Sequence, residues 1–85
     1  MASYRVLIKR SAAKELEAVP LKDRRRLVAR IERLAANPRP VGAQKLSGEE
    51  KYRLRQGDYR ILYEIVDDDL IITVVRVGHR RDVYR

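Results

Sequence analysis

The 85-residue chain contains no cysteine, no phenylalanine and no tryptophan, and only one methionine and one histidine. The missing cysteines exclude a disulfide framework, thiolate catalysis and cysteine-ligated zinc, and a lone histidine excludes a multi-histidine metal centre. No apolar run approaches the ~20 residues of a membrane helix, and Met1-Ala2-Ser3-Tyr4-Arg5 meets a charge before any stretch suited to a signal peptide. A cytoplasmic protein without metal or cofactor is expected. With no Phe or Trp, its core has to come from Leu, Ile, Val, Ala and parts of the five tyrosines. One small domain, residues 1–85, is the limit for such a chain, and about a third of its unfolded surface stays exposed after folding.

Positive charge, by contrast, is plentiful. Twenty Lys and Arg against twelve Asp and Glu give a net +8, which suits a polyanionic partner but specifies no fold. Residues 1–44 hold eleven basic and four acidic side chains, whereas residues 45–85 hold nine and eight. Three of the latter acids are Asp67, Asp68 and Asp69 in one turn, so a sheet face nearby can remain positive. The C-terminal third is the suggestive part: Lys51-Tyr52-Arg53-Leu54-Arg55-Gln56-Gly57-Asp58-Tyr59-Arg60 precedes two apolar strands and then Gly78-His79-Arg80-Arg81. Arginine is permanently charged and carries a rigid fork of donors matched to phosphate. Placed beside strand positions that must be buried, it points to a sheet face that meets an anionic polymer, although alternating charge opposite an apolar face is also an ordinary solvated surface.

Periodicity predicts the elements. Tyr4 to Lys9 reads as a short strand. Ser11 suits the N-cap of a helix over Ala12 to Val19, which Pro20 ends. From Leu21 to Ala36, Leu27, Val28, Ile31, Leu34 and Ala35 recur at helical spacing while Arg24, Arg25, Arg26, Arg30 and Arg33 fill a basic outer face. That face is an ordinary solvated surface or a nucleic-acid contact. Asn37-Pro38-Arg39-Pro40 stops the helix. The period then becomes two, with Tyr52, Leu54 and Gln56 pointing one way and Lys51, Arg53 and Arg55 the other. A turn at Gly57, a central strand from Tyr59 to Val66, a turn at Asp67 to Asp69 and a last strand from Leu70 to Val77 complete the order. The expected class is α+β, β-α-α-β-β-β, an antiparallel sheet packed on an N-terminal helical hairpin with its other face open. If Arg55 pairs near Arg60, then Lys51, Arg53, Arg55 and Arg60 share that open face, unless a bulge at Gly57 moves some of them.

Several segments, in this order, resemble the RelE/ParE toxins of prokaryotic toxin–antitoxin pairs: the Ala-Lys-x-Leu stretch at Ala13 to Leu16, Asn37-Pro38-Arg39-Pro40, Lys45-Leu46-Ser47-Gly48, Arg55 to Arg60, and Val77-Gly78-His79-Arg80 ending in Val83-Tyr84. The resemblance implies a RelE-like fold, an acidic antitoxin of the RelB or Phd kind as partner, and in the RelE branch cleavage of mRNA in the ribosomal A site. The ParE branch implies DNA gyrase as target instead, and an inactive relative that only holds its antitoxin is a third possibility.

For the nuclease, the resemblance implies a basic cluster around the phosphate and a C-terminal tyrosine. Lys51 and Arg53 match the basic pair of the family's second strand, with Arg53 standing where a lysine is usual, and arginine is a poor base. Arg60 matches a transition-state arginine, Arg80 the arginine after Gly-x, and Tyr84 the catalytic tyrosine, at a shorter interval from Arg80 than in well-known members. Arg55, Lys45, His79 and Arg81 are the expected RNA contacts. Ser47 occupies a position where some members have another arginine. As a histidine, His79 suits proton transfer, or equally a structural place at a strand end. Tyr52, Tyr59 and Tyr63 are expected in the core, since no phenylalanine fills that role.

Overall fold

The computed structural model describes residues 3–46 and 50–81. Its elements are β1 (Arg5–Ile8), α1 (Arg10–Glu17), α2 (Leu21–Arg33), β2 (Gln44–Lys45), β3 (Lys51–Gln56), β4 (Tyr59–Val66), a 3-10 turn over Asp67–Asp69, and β5 (Ile71–His79). They form two helices on a five-stranded sheet in the order β1-β5-β4-β3-β2, the α+β arrangement expected. Two details differ. β1 runs parallel to β5, so the sheet is mixed, because the chain enters at one edge and the helical hairpin carries it across to the other. The connecting loop also contributes the short strand β2, paired antiparallel to β3.

Local sequence explains the helices. Lys9 N–H is still bonded to Val74 C=O at 2.9 Å, and the chain turns into α1 directly from there. Ser11 therefore lies inside the first turn rather than at the cap, and Lys9 occupies the cap without a side-chain bond. Pro20, with φ −52°, precedes α2, where a missing N–H costs nothing. The last residues before Asn37-Pro38 tighten into bonds three residues apart (Leu34 to Ile31, Ala35 to Glu32, Ala36 to Arg33), so regular helix ends at Arg33. Ala12, Leu16 and Val19 on one segment, and Leu27, Ile31 and Leu34 on the other, are buried at a spacing of four then three. Val28 sits just off that stripe and is 36% exposed.

Tyr52, Leu54, Ile61, Tyr63, Ile65, Ile72, Val74 and Val77 supply the sheet side of the core. The step from Val74 to Val77 breaks the alternation. Tyr63 is opposite Val74 while Leu62 is opposite Arg76, so Val75 is an extra residue, a β-bulge. Without it Arg76 would take the next inward position after Ile72 and Val74. With it, Val77 and His79 turn inward and Arg76 and Gly78 turn outward. Gly57, at φ +60°, opens the two-residue turn between β3 and β4, where a side chain would be strained.

Candidate phosphate-binding site

The face of the sheet away from the helices carries the arginines. Across β3 and β4, Lys51 is opposite Glu64, Arg53 opposite Leu62, and Arg55 opposite Arg60. The hairpin keeps its register up to the turn, so the four basic residues do share a face. Arg60 in turn lies opposite Gly78, its Nη1 donates to Arg80 C=O at 3.1 Å, and Arg80 N–H donates to Asp58 C=O at 2.8 Å. The β3–β4 turn and the end of β5 are thereby tied together, and Arg55, Arg60 and Arg80 converge at one end of the sheet. Arg53 borders them and donates to the Gln44 side-chain carbonyl on β2.

Like charges directly opposite in a sheet are destabilising, by roughly 0.2–1 kcal/mol. Arg55 facing Arg60 is such a pair, with Arg80 bonded alongside. The facing of the two charges is unfavourable to the fold, and it is what an anion with oxygens on several sides requires.

The remaining candidates lie elsewhere. Lys51 is four residues from Arg55, roughly 13 Å along the strand, and its Nζ lies 3.7 Å from a Glu64 carboxylate oxygen. Lys45 is on the far edge strand and bonds Glu50 at 3.0 Å, which raises its pKa. His79 turns to the helix side: its ring stands edge-on to Tyr59, centroids 5.8 Å apart, and its Nδ1 accepts from Arg81 N–H at 3.3 Å. Arg81 is exposed just beyond Arg80. Ser47 and Tyr84 fall outside the described residues. Among the described residues no group of three or more His, Asp or Glu is placed to hold a metal ion, and no helix is long and apolar enough to cross a membrane.

Two residues that pattern reading passed over matter to the site. Arg76 joins the outer face through the bulge, and an arginine in an inward phase after Ile72 and Val74 was the available signal of that bulge. Glu15 on α1 accepts from Val77 N–H at 3.0 Å, beyond the end of β1, and its other oxygen lies 3.4 Å from Arg76 Nη2. It satisfies the Val77 N–H on the edge of β5 left uncovered beyond β1.

At the opposite end of the sheet Arg39 is saturated. It donates to Tyr52 Oη at 2.8 Å, to Asp67 at 2.8 Å and 3.2 Å, and to Glu50 at 3.2 Å, with its guanidinium over the Tyr52 ring. Tyr4 Oη donates to Asp67 at 2.6 Å. The bonds from Arg39 and Tyr4 hold the Asp67 carboxyl below its ordinary range. Those from Lys45, Tyr52 and Arg39 do the same for Glu50. Arg39 is held further up, by Asp67 first and then Tyr52.

Sequence comparison matches residues 6–84 to the family described as ParE toxin of type II toxin-antitoxin system, parDE. The chain belongs to the RelE/ParE superfamily of type II toxins. A RelE-like toxin by name from Escherichia coli is 31% identical over 95% of this chain and 90% of its own length. A chain named as toxin RelE1 in Methanocaldococcus jannaschii is 30% identical, covering 96% of each. Among solved structures, the RelBE2 toxin–antitoxin complex of Mycobacterium tuberculosis superposes with a TM-score of 0.83 at 28% identity, over 96% of this chain and 97% of that one. The RelE–RelB complex of Pyrococcus horikoshii gives 0.81 at 28%, over 95% and 99%. The RelE/ParE fold in this chain thus carries its arginine cluster on the uncovered sheet face.

Proposed function

We propose that this toxin is a cytoplasmic, ribosome-dependent endoribonuclease that cleaves mRNA in the A site and stops translation. The like-charged convergence of Arg55, Arg60 and Arg80 supports this reading most directly, because it costs the fold stability and suits a phosphodiester. In the reaction the ribose 2′-hydroxyl attacks the adjacent phosphorus and the 5′-oxygen leaves. Charge grows on the non-bridging oxygens, where arginines stabilise it more than in the ground state. Arg60 and Arg80 take that role, Arg55 and Arg53 hold the flanking backbone, and Tyr84 is assigned protonation of the leaving oxygen. Lys51 is the one amine on β3 and the candidate base, although its place opposite Glu64 sets it apart from the cluster. Alignment of the 2′-hydroxyl by the ribosome supplies the rest, since positioning alone removes much of such a barrier.

An acidic antitoxin of the RelB or Phd kind is the proposed partner, covering the basic face by charge complementarity. The solved relatives are themselves toxin–antitoxin complexes. A second reading, a gyrase-directed toxin or an inactive antitoxin-binding relative, draws on the ParE description of the matching family. Cleavage mapping on translating ribosomes separates them. The nuclease reading expects 5′ ends at A-site codons that vanish with Arg60→Ala and Arg80→Ala. A DNA-damage response with translation intact, and no mRNA cleavage, supports the second reading.

A further inference from the structure

A cavity of about 280 Å³ opens between the end of α1 and the end of β5, on the helix side of the sheet. Ala18 and Val19 give it apolar walls, Tyr59 and His79 present rings 79° apart, and Glu15 and Arg76 supply an acceptor and a donor. Tyr59 is only half-buried, unlike Tyr52 at 7% and Tyr63 at 0% exposure, so its ring is not consumed by the core. Its chain neighbour is Arg60, and its cross-strand partner His79 is the neighbour of Arg80.

Arg76 shows the route between the two faces. Its register places it outward, opposite Leu62, yet its guanidinium reaches within 3.4 Å of Glu15. It passes around the edge of β5, where β1 has ended at the level of Val74. A strand of RNA with its phosphate on the arginine face has the same short path into the cavity.

We propose that this cavity holds one nucleobase of the bound RNA, its face against the His79 ring with the Tyr59 ring at its side and its hydrogen-bonding edge read by Glu15 and Arg76, while a neighbouring phosphate lies on Arg55, Arg60 and Arg80. A base has π faces that stack on aromatic rings and edges that donate and accept. A carboxylate offers about four lone-pair sites, and Val77 N–H and Arg76 use two of those on Glu15. The carboxylate also makes the cavity a poor seat for an acidic antitoxin segment, whose charge Glu15 would repel. The proposal rests on the RNA reading above.

The test is a nuclear magnetic resonance titration of the purified toxin with AMP, GMP, CMP and UMP, and with ribose 5-phosphate as a phosphate-only control. Ring signals of Tyr59 and His79 are expected to move with at least one nucleotide and not with ribose 5-phosphate. His79→Ala is expected to weaken that nucleotide by about tenfold, the loss of one stacking partner. Glu15→Gln, which keeps an acceptor for Val77 N–H, is expected to reorder the four nucleotides. Rings that ignore all four, or that answer equally to the sugar phosphate, overturn the proposal. So do rings that respond only to an acidic antitoxin peptide. Because binding is read without cleavage, nucleotide binding by a toxin inactive on ribosomes keeps this site and removes the nuclease. Cleavage with unaltered base preference in both variants does the reverse.

Discussion

The two ends of the sheet use the same residue types to opposite effect. At one end Lys51 faces Glu64 across the β3–β4 pair, and nearby Arg39 is ringed by Asp67, Glu50 and Tyr52. At the other end Arg55 faces Arg60, and Arg60 bonds a backbone carbonyl of Arg80. A cation closed in by carboxylates fastens chain segments, whereas cations set against one another are kept for a ligand that neutralises them. Arginine count alone does not distinguish the two ends. Partnering does.

The sharpest way to break this comparison is to remove one basic residue at each end. Arg60→Ala is expected to lower ribosome-dependent cleavage by about 10²–10³-fold, the usual loss when one donor to a developing oxyanion goes, while the melting temperature changes little, because relief of the like-charged pair offsets the lost bond to Arg80 C=O. Lys51→Ala, which removes the candidate base, is expected to lower cleavage by less than Arg60→Ala, because the ribosome aligns the 2′-hydroxyl, and to lower stability by about 0.2–1 kcal/mol, the worth of an opposite-charge cross-strand pair. Single-turnover cleavage and thermal melts of both variants decide it. A cleavage loss for Lys51→Ala equal to that of Arg60→Ala extends the site along the whole of β3, and no loss at all removes Lys51 as the base.

How much of this was legible without coordinates differs by level. The β3–β4 hairpin was readable because two-residue periodicity and a glycine turn fix register locally, and Arg55 opposite Arg60 follows from that. The parallel pairing of β1 was not, since it joins residues more than sixty positions apart and depends on where the helices put the chain. The Val75 bulge was readable only as an arginine in an inward phase. Arg39 read as a loop residue between prolines, and its three partners lie 11 to 28 positions away, where no local pattern connects them. Tyr63 and Tyr52 entered the core as aromatic content required, but Tyr59 stayed half-buried because it sits where the sheet outruns the helices.

Next in size is the anchor beneath the saturated end. Tyr63 Oη donates to Pro38 C=O at 2.8 Å from a side chain with 0% exposure, which pins the proline loop to β4. Tyr63→Phe is expected to cost about 1–3 kcal/mol, the range for leaving a buried acceptor unpaired, with cleavage retained. Burial pushes the Tyr63 phenol from its ordinary 10.0 up to about 12. The folded state therefore keeps a proton that the unfolded chain releases. Its contribution is complete below pH 10 and is lost as pH rises towards 12, a slope that the Phe variant should lack. Alkaline denaturation profiles that are parallel in the two proteins would remove Tyr63 from this role.

Arg39→Ala should come lower, at about 1 kcal/mol, since its ion pairs are roughly half exposed and screened. That corresponds to roughly 4–8 °C in a domain of this size. Cleavage should again be retained, because Arg39 serves the end of the sheet away from the cluster.

The smallest expected effect is on acid stability. Asp67 and Glu50 are both held below the ordinary carboxylate range, Asp67 first by Arg39 and Glu50 first by Lys45. In the acid range the folded chain consequently binds fewer protons than the unfolded one. The stabilisation is complete above the unfolded carboxylate pKa of about 4, and it is lost as pH falls through the folded values. Denaturant midpoints measured from neutrality into this range should decline, and the decline should be shallower in Arg39→Ala and in high salt, which screens exposed pairs. Arg60→Ala should leave the slope unaltered, because Arg60 faces Arg55 and Gly78 rather than either carboxylate. A slope reduced equally by both substitutions would mean that the two ends share one electrostatic field, and that the arginine cluster is held in place by the same acids that close in Arg39.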